Sequence, residues 1–382
     1  MRLARLPLLA ALFIAGFHSS VAGAIAEEAD NSLRVGVFVP TEGNFAILGE
    51  QIINGIKVLK ENSGLAIAEV LEEPDTCDVE GGQDAASAFA EAGVDAVIGF
   101  LCMESLAAAL PILSASDIPS ISLGVRSAII AEDANRSDWL FYRLAPRDDD
   151  EAKMITRVIS TDWLGKPLAL VEDGTIYGRE LMESVRLMLE EIGISPIFVD
   201  NFRPSQDRQF GLVRRLQKSG ATHIFIGGDR QDAATIARDS AEAGLGLVFL
   251  GGDALNAAEG EPPLADGFLA VTLPEPRFLP SATRAVKQFD DAEISISGYS
   301  IPAYAAGQIL LAAKRAAAAT QAPLADYLTG REFFTALGSI QFDDFGERRD
   351  NPFELMVWHE GTFAPADLSS EVRSGNGEET TQ

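Results

Sequence analysis

The sequence is poor in the residues that most often carry catalytic or metal chemistry. Its 382 residues include two cysteines and three histidines. Two cysteines are too few for a disulfide-dense scaffold or a cysteine-rich zinc or iron–sulfur site. His18 lies in an N-terminal leader, which leaves His223 and His359 for the rest of the chain. The chain therefore has few residues from which a catalytic triad or a histidine metal site could be built, and we expect no metal and no cofactor.

Basic residues are also scarce. Lysine and arginine together number 30 against 57 acidic residues, for a net charge of −27 and an isoelectric point near 4.4. Nucleic acids and anionic lipid surfaces need a basic face. This balance therefore argues against both as partners, and we expect the partner to be a small molecule.

The nucleotide and hydrolase motifs are missing as well. The chain has no G-x-G-x-x-G, no P-loop and no G-x-S-x-G. The turn after the first predicted strand is Thr41-Glu42-Gly43-Asn44, which puts an acid where a pyrophosphate would lie. We therefore expect that the protein is not an enzyme. An exported α/β enzyme is the alternative, and a hydrolase or dehydrogenase activity screen tests it.

Residues 1–26 resemble a secretory signal peptide. Arg2 and Arg5 precede an apolar run from Leu6 to Phe17, which is too short to span a bilayer. Small residues with cleavage spacing predict processing after Ala24 or Ala26. A membrane anchor is the alternative, but the short run and the cleavage sites favour export of a soluble protein.

Export bears on the two cysteines. In an oxidising compartment, two cysteines that are the only ones in a chain, here Cys77 and Cys102, usually form a disulfide bond with each other. A redox-active pair is the alternative, and the absence of a C-x-x-C spacing disfavours it.

Apolar runs alternate with amphipathic segments through most of the chain. Runs at 33–40, 93–99, 168–172, 223–227 and 248–251 read as buried strands, and helical spacing follows at 51–61, 104–114, 179–192 and 231–243. This alternation predicts parallel sheets covered by helices on both faces. It spans two units, 33–146 and 147–274. A third stretch, 275–368, has strands near 339–342 and 354–358 and is assigned back to those units.

Two predicted strands end in the same tripeptide. Gly-Gly-Asp follows one strand at Asp229 and the next at Asp253. Ligands of open α/β sheets bind beyond the carboxyl ends of the strands. The two aspartates predict a shared acidic site for a ligand ammonium group. The alternative is that each caps the following helix.

Other candidate ligand residues follow predicted strands or turns. Arg126, just after Gly124, projects from a strand end of the first unit, where a guanidinium binds carboxylates well. An internal ion pair with Glu42 or Glu104 is its alternative. Tyr177 and Tyr299 follow turns, as aromatic residues that wall a cleft often do, although core packing is the commoner role of an aromatic.

These features together resemble a known family. From Leu33 to about Asp367, the chain is similar to the type I periplasmic binding proteins of the leucine/isoleucine/valine group. The resemblance lies in the order and spacing of several stretches: 35–49 (VGVFVPTEGNFAILG), 75–77, 96–102 (AVIGFLC), 141–149 (FYRLAPRDD), 171–178 (VEDGTIYG), 226–229, 250–253, 340–346 (IQFDDFG) and 357–363 (VWHEGTF).

The resemblance implies an α/β fold with two lobes that form a clamshell, each lobe a parallel sheet flanked by helices. Residues 27–146 and 275–350 would form lobe 1, residues 147–274 and 351–368 lobe 2, and 369–382 a disordered tail. It implies a monomer that captures a small ligand between the lobes by hinge closure and delivers it to an ABC transporter permease in the inner membrane. It also implies a Cys77–Cys102 disulfide.

The resemblance also suggests ligand-binding positions. The ammonium-binding acid matches Asp253, and a cleft tyrosine of the same lobe matches Tyr177. Four positions depart from the family: Asp229 stands where the family has an aromatic residue, Met103 and Arg126 where it has hydroxyl residues, and Leu48 where it has a tyrosine. Tyr299 and Gly124 complete the site. Arg126 would hold the anionic end of the ligand, and Asp253 with Asp229 the cationic end. The departures favour a polar or doubly charged ligand over leucine.

The expected function is capture of an amino acid or a related polar nitrogenous compound. An amide, a urea-type compound or an anionic solute is the alternative ligand. A periplasmic receptor that reports its ligand to a sensor is the alternative role, and neighbouring permease and ATPase genes would favour transport.

Overall fold

The structure is a computed structural model that describes residues 32–258 and 260–366. The predicted signal peptide (1–26) and the tail (369–382) lie outside the described residues. Within the part of the chain that the structure describes, the residues separate into two compact units. Unit 1 comprises 32–125, 129–144 and 281–347, and unit 2 comprises 126–128, 145–280 and 348–366.

Unit 1 is built on a five-stranded parallel sheet in the order β2-β1-β3-β4-β5. Its strands are β1 (Leu33–Val39), β2 (Ile67–Pro74), β3 (Ala96–Gly99), β4 (Ser120–Ser122) and β5 (Phe141–Arg143). Its helices are α1 (Ala46–Asn62), α2 (Val79–Ala92), α3 (Met103–Ala115), α4 (Ala128–Arg136, which begins in unit 2), α9 (Thr283–Asp291) and α10 (Ser300–Thr320).

Unit 2 contains a seven-stranded sheet in the order β14-β13-β10-β9-β8-β6-β7. Its strands are β6 (Leu168–Glu172), β7 (Phe198–Asn201), β8 (His223–Gly227), β9 (Val248–Gly251), β10 (Leu269–Thr272), β13 (Glu354–His359) and β14 (Thr362–Pro365). Its helices are α5 (Asp150–Thr161), α6 (Ile176–Glu191), α7 (Phe210–Ser219) and α8 (Arg230–Glu242). Short 3-10 turns occupy 43–45, 64–66, 253–256, 276–278, 280–282 and 324–327.

Both faces of the unit 2 sheet are buried. Along β6, Leu168 and Leu170 pack in one apolar cluster, while Ala169 and Val171 pack in another on the opposite face. Successive side chains of a strand point to opposite faces. A continuous apolar run is therefore what a strand needs when helices cover both sides, and the predicted α/β class is confirmed.

The sheets depart from the expectation in two places. Unit 2 is not purely parallel, because β13 joins its edge antiparallel to β10, and β14 then pairs antiparallel with β13. The predicted strand near 339–342 does not return to a main sheet. It forms β12 (Gly338–Gln341), which pairs with β11 (Glu332–Thr335) in a separate two-stranded sheet. Two residues connect these strands, a length typical of a tight β-hairpin.

The Cys77–Cys102 disulfide is formed, as predicted, and lies in unit 1 with its Cα atoms 5.2 Å apart. Beside it, the buried carboxylate of Asp75 accepts hydrogen bonds from the Cys77 N–H (2.8 Å) and the Ser105 hydroxyl (3.0 Å). Burial raises the pKa of Asp75. The bond and these contacts fix the loop that precedes α2 to the start of α3.

Across 32–258 and 260–366, no helix is both long enough and apolar enough to cross a membrane.

Candidate functional site

Three predicted site residues of unit 2 follow neighbouring parallel strands. Tyr177, Asp229 and Asp253 come shortly after β6, β8 and β9, which lie side by side in parallel register. The carboxyl ends of parallel strands meet at one edge of a sheet, where ligands of such sheets bind. The sheet therefore brings the three positions to the same edge.

The Asp253 side chain does not cap a helix. Its Oδ1 accepts a hydrogen bond from the Leu273 N–H at 3.1 Å, and the residue is half-buried. Burial raises the pKa of Asp253, while the Leu273 N–H and the positive charge of Arg126 act in the opposite direction. The capping alternative is therefore wrong for this residue, and its carboxylate keeps Oδ2 for another partner.

Glu151 is the residue that the sequence analysis missed. It lies in the first turn of α5 and is 7% exposed. Its Oε1 accepts hydrogen bonds from the Tyr177 hydroxyl (2.7 Å) and the Asp253 N–H (2.7 Å). Burial raises the pKa of Glu151, and the nearby Asp253 adds to the rise. We call Glu151, Tyr177 and Asp253 the acid cluster.

Tyr177 joins the two acids of the cluster. Its hydroxyl donates to Glu151 and accepts a longer hydrogen bond from the Ala254 N–H at 3.4 Å. Partial burial raises the pKa of Tyr177, and the neighbouring Glu151 raises it further. The hydroxyl therefore keeps its proton at neutral pH and holds Glu151 in place.

The acid cluster needs a glycine at position 252. A Cβ there would approach Glu151 Oε1, the Tyr177 hydroxyl oxygen and Leu181 more closely than the 3.0 Å that real Cβ atoms respect. Glycine is the residue that permits such a close approach.

Replacing Gly252 by alanine is therefore expected to displace Glu151 and Tyr177 and to weaken ligand binding at least about 10-fold, the loss of one charged hydrogen bond. Calorimetric titration would measure it. Gly246→Ala is the matched control, because a Cβ at Gly246 meets nothing within 4 Å. Equal affinities for the two variants would contradict the role given to the cluster.

Arg126 is the basic residue near the acid cluster. It groups with unit 2 rather than with the first unit. Its positive charge acts to lower the pKa of both Glu151 and Asp253, and its guanidinium lies 6.0 Å from the centre of the Phe353 ring. Arg126 to Ala128 group with unit 2, and the chain returns to unit 1 at Ile129. The predicted role of Arg126 in lobe 1 and its contact with a ligand stay predictions.

Asp229 caps a helix, as its alternative reading allowed. Its side chain accepts from the Asp232 N–H at 2.9 Å and so begins α8. Burial raises the pKa of the neighbouring Asp232 to about 6, and the charge of Asp229 contributes. The acid that hydrogen-bonds the Asp253 backbone is Glu151. A site shared by Asp229 and Asp253 stays a prediction.

The unit 1 candidates also follow adjacent strands. Leu48 comes after β1, Met103 after β3 and Gly124 after β4, all at the carboxyl edge of the sheet. A Cβ at Gly124 would lie 3.2 Å from the Tyr299 hydroxyl oxygen, so these two residues are neighbours. Met103 is 42% exposed, and Leu48 is half-buried. Their ligand contacts stay predictions.

A cavity of about 850 Å³ lies within unit 2 beside the acid cluster. Glu151 and Tyr177 line it, together with residues from the start of α5 and the first turns of α6. A volume of this size is in the range that small-molecule sites occupy. The acid cluster is therefore next to space that a ligand group could enter.

The chain is similar to known proteins over most of its length. The model of the periplasmic binding protein family matches residues 32–362. The Leu/Ile/Val-binding protein homolog 2 of Brucella abortus (strain 2308) is 28% identical over 342 residues, which cover 86% of this chain and 91% of that protein.

Two solved structures show the same fold. An ABC transporter substrate-binding protein from Desulfitobacterium hafniense, in complex with Leu, has a TM-score of 0.63 at 19% identity and covers 88% of this chain and 100% of its own. An ABC transporter solute-binding protein from Rhodopseudomonas palustris HaA2, in complex with p-hydroxybenzoic acid, has a TM-score of 0.61 at 15% identity. The match covers 87% of this chain and 95% of that protein. With the family model spanning nearly all described residues, the chain belongs to the periplasmic binding protein family.

Proposed function

We propose that this chain is the solute-binding component of an ABC importer, that it acts in the periplasm, and that it captures an amino acid or a related compound with a cationic nitrogen. One relative named above is a Leu/Ile/Val-binding protein homolog, and another is an ABC transporter substrate-binding protein in complex with Leu. The partners are the small-molecule ligand and a permease in the inner membrane. Closure of two lobes on the ligand stays a prediction.

The acid cluster is the observation that carries this proposal. Within the described chain, Glu151 Oε2 and Asp253 Oδ2 accept no hydrogen bond, so two acceptors are open. Both carboxyl groups are partly withdrawn from water. A charged hydrogen bond is stronger in such a poorly solvated place than at a surface. An ammonium group offers three N–H donors and the opposite charge. The cluster therefore fits a protonated amine.

The same cluster disfavours an anionic solute. Benzoates carry a carboxylate, and a carboxylate next to two acids would meet like charge in a poorly solvated place. The positive charge of Arg126 acts on Glu151 and Asp253 themselves and thereby offsets part of their own repulsion. An aromatic acid is therefore the ligand class that the site supports less well.

A ligand panel measured by thermal unfolding tests the function. The mature protein is first unfolded to remove copurified ligand and then refolded. The panel contains amino acids, diamines, amides, urea and benzoates. A ligand at 100 times its Kd adds about 2.7 kcal/mol of stability, which raises Tm by a few degrees. We expect the shifts to come from amines. Shifts from benzoates or uncharged solutes alone would overturn the amine assignment.

A further inference from the structure

Glu151 occupies an unusual place for a carboxylate. It is 7% exposed, yet it lines the 850 Å³ cavity. Both of its hydrogen bonds reach the same oxygen, Oε1, so the second oxygen is open within the described chain. A buried carboxylate is costly unless its charge is paired. Buried Glu151 therefore needs either the positive charge of a bound ligand or a proton that neutralises its carboxylate.

A second carboxylate lies beside it. Glu151 Oε1 is 2.7 Å from the backbone nitrogen of Asp253, and the charge of Asp253 acts on Glu151. Burial and the negative charge of Asp253 both favour the protonated form of Glu151. Without ligand, Glu151 therefore keeps its proton to a higher pH than an exposed glutamate does.

The other charged groups around the pair do not replace a ligand cation. Arg126 is the cation whose charge reaches both carboxyl groups. Asp150 is engaged by Arg147 in the first turn of α5. The remaining charged groups that line the cavity are mostly acidic: Asp148, Asp149, Arg179, Glu180 and Glu183. The local balance is negative and leaves the pair short of positive charge.

We propose, on the basis of the function inferred above, that Glu151 is a second cation-binding carboxylate that selects an ammonium or guanidinium group, and that ligand binding displaces a proton from the Glu151–Asp253 pair into solvent. The ligand cation takes the place of the proton and donates N–H bonds to Glu151 Oε2 and Asp253 Oδ2. The ligand itself stays protonated, and the buffer takes up the displaced proton.

The proposal sets the direction of the pH dependence. Burial raises the pKa of both acids, so a larger share of the pair carries a proton as the pH falls than exposed acids would. A cation then competes with that proton. Affinity for an amine is expected to fall as pH falls through the raised pKa values, and to level off at higher pH once the pair is ionised.

Calorimetric titration tests the proton directly. The probe is whichever of L-leucine, L-lysine and L-arginine gives the largest thermal shift. It is titrated into wild-type protein in two buffers of different ionisation enthalpy, at several pH values from 5 to 8. The difference in heat gives the protons released. We expect the release to grow as the pH falls through the raised pKa values and to disappear at higher pH, once the pair is ionised without ligand.

The variant Glu151→Gln isolates the residue. It keeps an oxygen that can accept from Tyr177 and Asp253, but it lacks the charge. We expect about 10- to 100-fold weaker binding, the effect of one charged hydrogen bond, and little proton release. Glu191→Gln is the control, because it removes one exposed charge from α6 away from the cavity. Thermal unfolding without ligand checks that both variants fold.

The outcomes separate the two proposals. If wild type binds an amine but releases no proton at any pH, or if Glu151→Gln binds as wild type does, the role of Glu151 is overturned and the proposed function stands. If wild type binds none of the amines in the thermal-unfolding panel, both are overturned. The wild-type proton count does not depend on the variant folding.

Discussion

Replacing Asp253 by asparagine is expected to reduce the affinity for an amine ligand more than any other single change in unit 2. Asparagine keeps an oxygen to accept from the Leu273 N–H, so the local backbone is retained. The change removes one negative charge from a half-buried place. Truncating one partner of a buried charged pair costs about 2–5 kcal/mol of binding free energy. Calorimetric titration, at a pH where the wild-type affinity no longer rises with pH, would measure the loss.

Asp229→Asn is the informative comparison. Asparagine caps helices nearly as well as aspartate does, so α8 keeps its start. Because the structure shows Asp229 bonded to the Asp232 N–H, we expect a smaller loss than at Asp253. Equal losses at both positions would instead favour the shared acidic site that the repeated Gly-Gly-Asp predicted. Unchanged binding by Asp253→Asn would remove that residue from the site.

Glu347→Ala is expected to have the largest effect on stability. In unit 1, the Arg143 guanidinium makes three contacts with the Glu347 carboxylate, of 2.6, 3.0 and 3.1 Å. Arg143 is 2% exposed and Glu347 is 6% exposed. Removing the acid leaves a buried positive charge without its carboxylate, which costs about 3–5 kcal/mol. Chemical denaturation would measure the free energy of unfolding.

A surface pair in the same unit serves as the control. Arg34 and Glu69 also form a close ion pair, at 2.7 Å, but their side chains are 40% and 48% exposed. Solvent screens such a pair, and Glu69→Ala is expected to cost less than about 1 kcal/mol. Similar losses for Glu347→Ala and Glu69→Ala would contradict the claim that burial, rather than pairing itself, sets the cost.

The central strands were predictable from the sequence. The runs at β6, β8 and β9 have the predicted bounds, because strands buried on both faces must be apolar without interruption. The edge strands were harder to see. β2 carries Glu69, Glu72 and Glu73, and it has a neighbour on one side alone. Charges on an edge strand are normal, but they erase the apolar signal that identifies a strand.

The candidate site was predictable to a smaller extent. Strand ends placed Tyr177 and Asp253 at one edge of a sheet. Glu151 escaped notice because it ends a run of four acids, Asp148–Glu151, at the start of a helix. Acidic residues there are expected from the helix dipole alone. Two of the four, Asp150 and Glu151, are buried, and tertiary packing rather than the local sequence decides which two.

The central claim is that the acid cluster of unit 2 binds the cationic nitrogen of the ligand. The most direct measurement compares two ligands that differ in that group alone, such as an amino acid from the panel and the same acid without its amino group. Both are titrated into wild-type protein at pH 7.5. The account predicts that the compound without the amine binds at least about 100-fold more weakly, as expected when buried charges lose their partner. Equal affinities for the two compounds would contradict it.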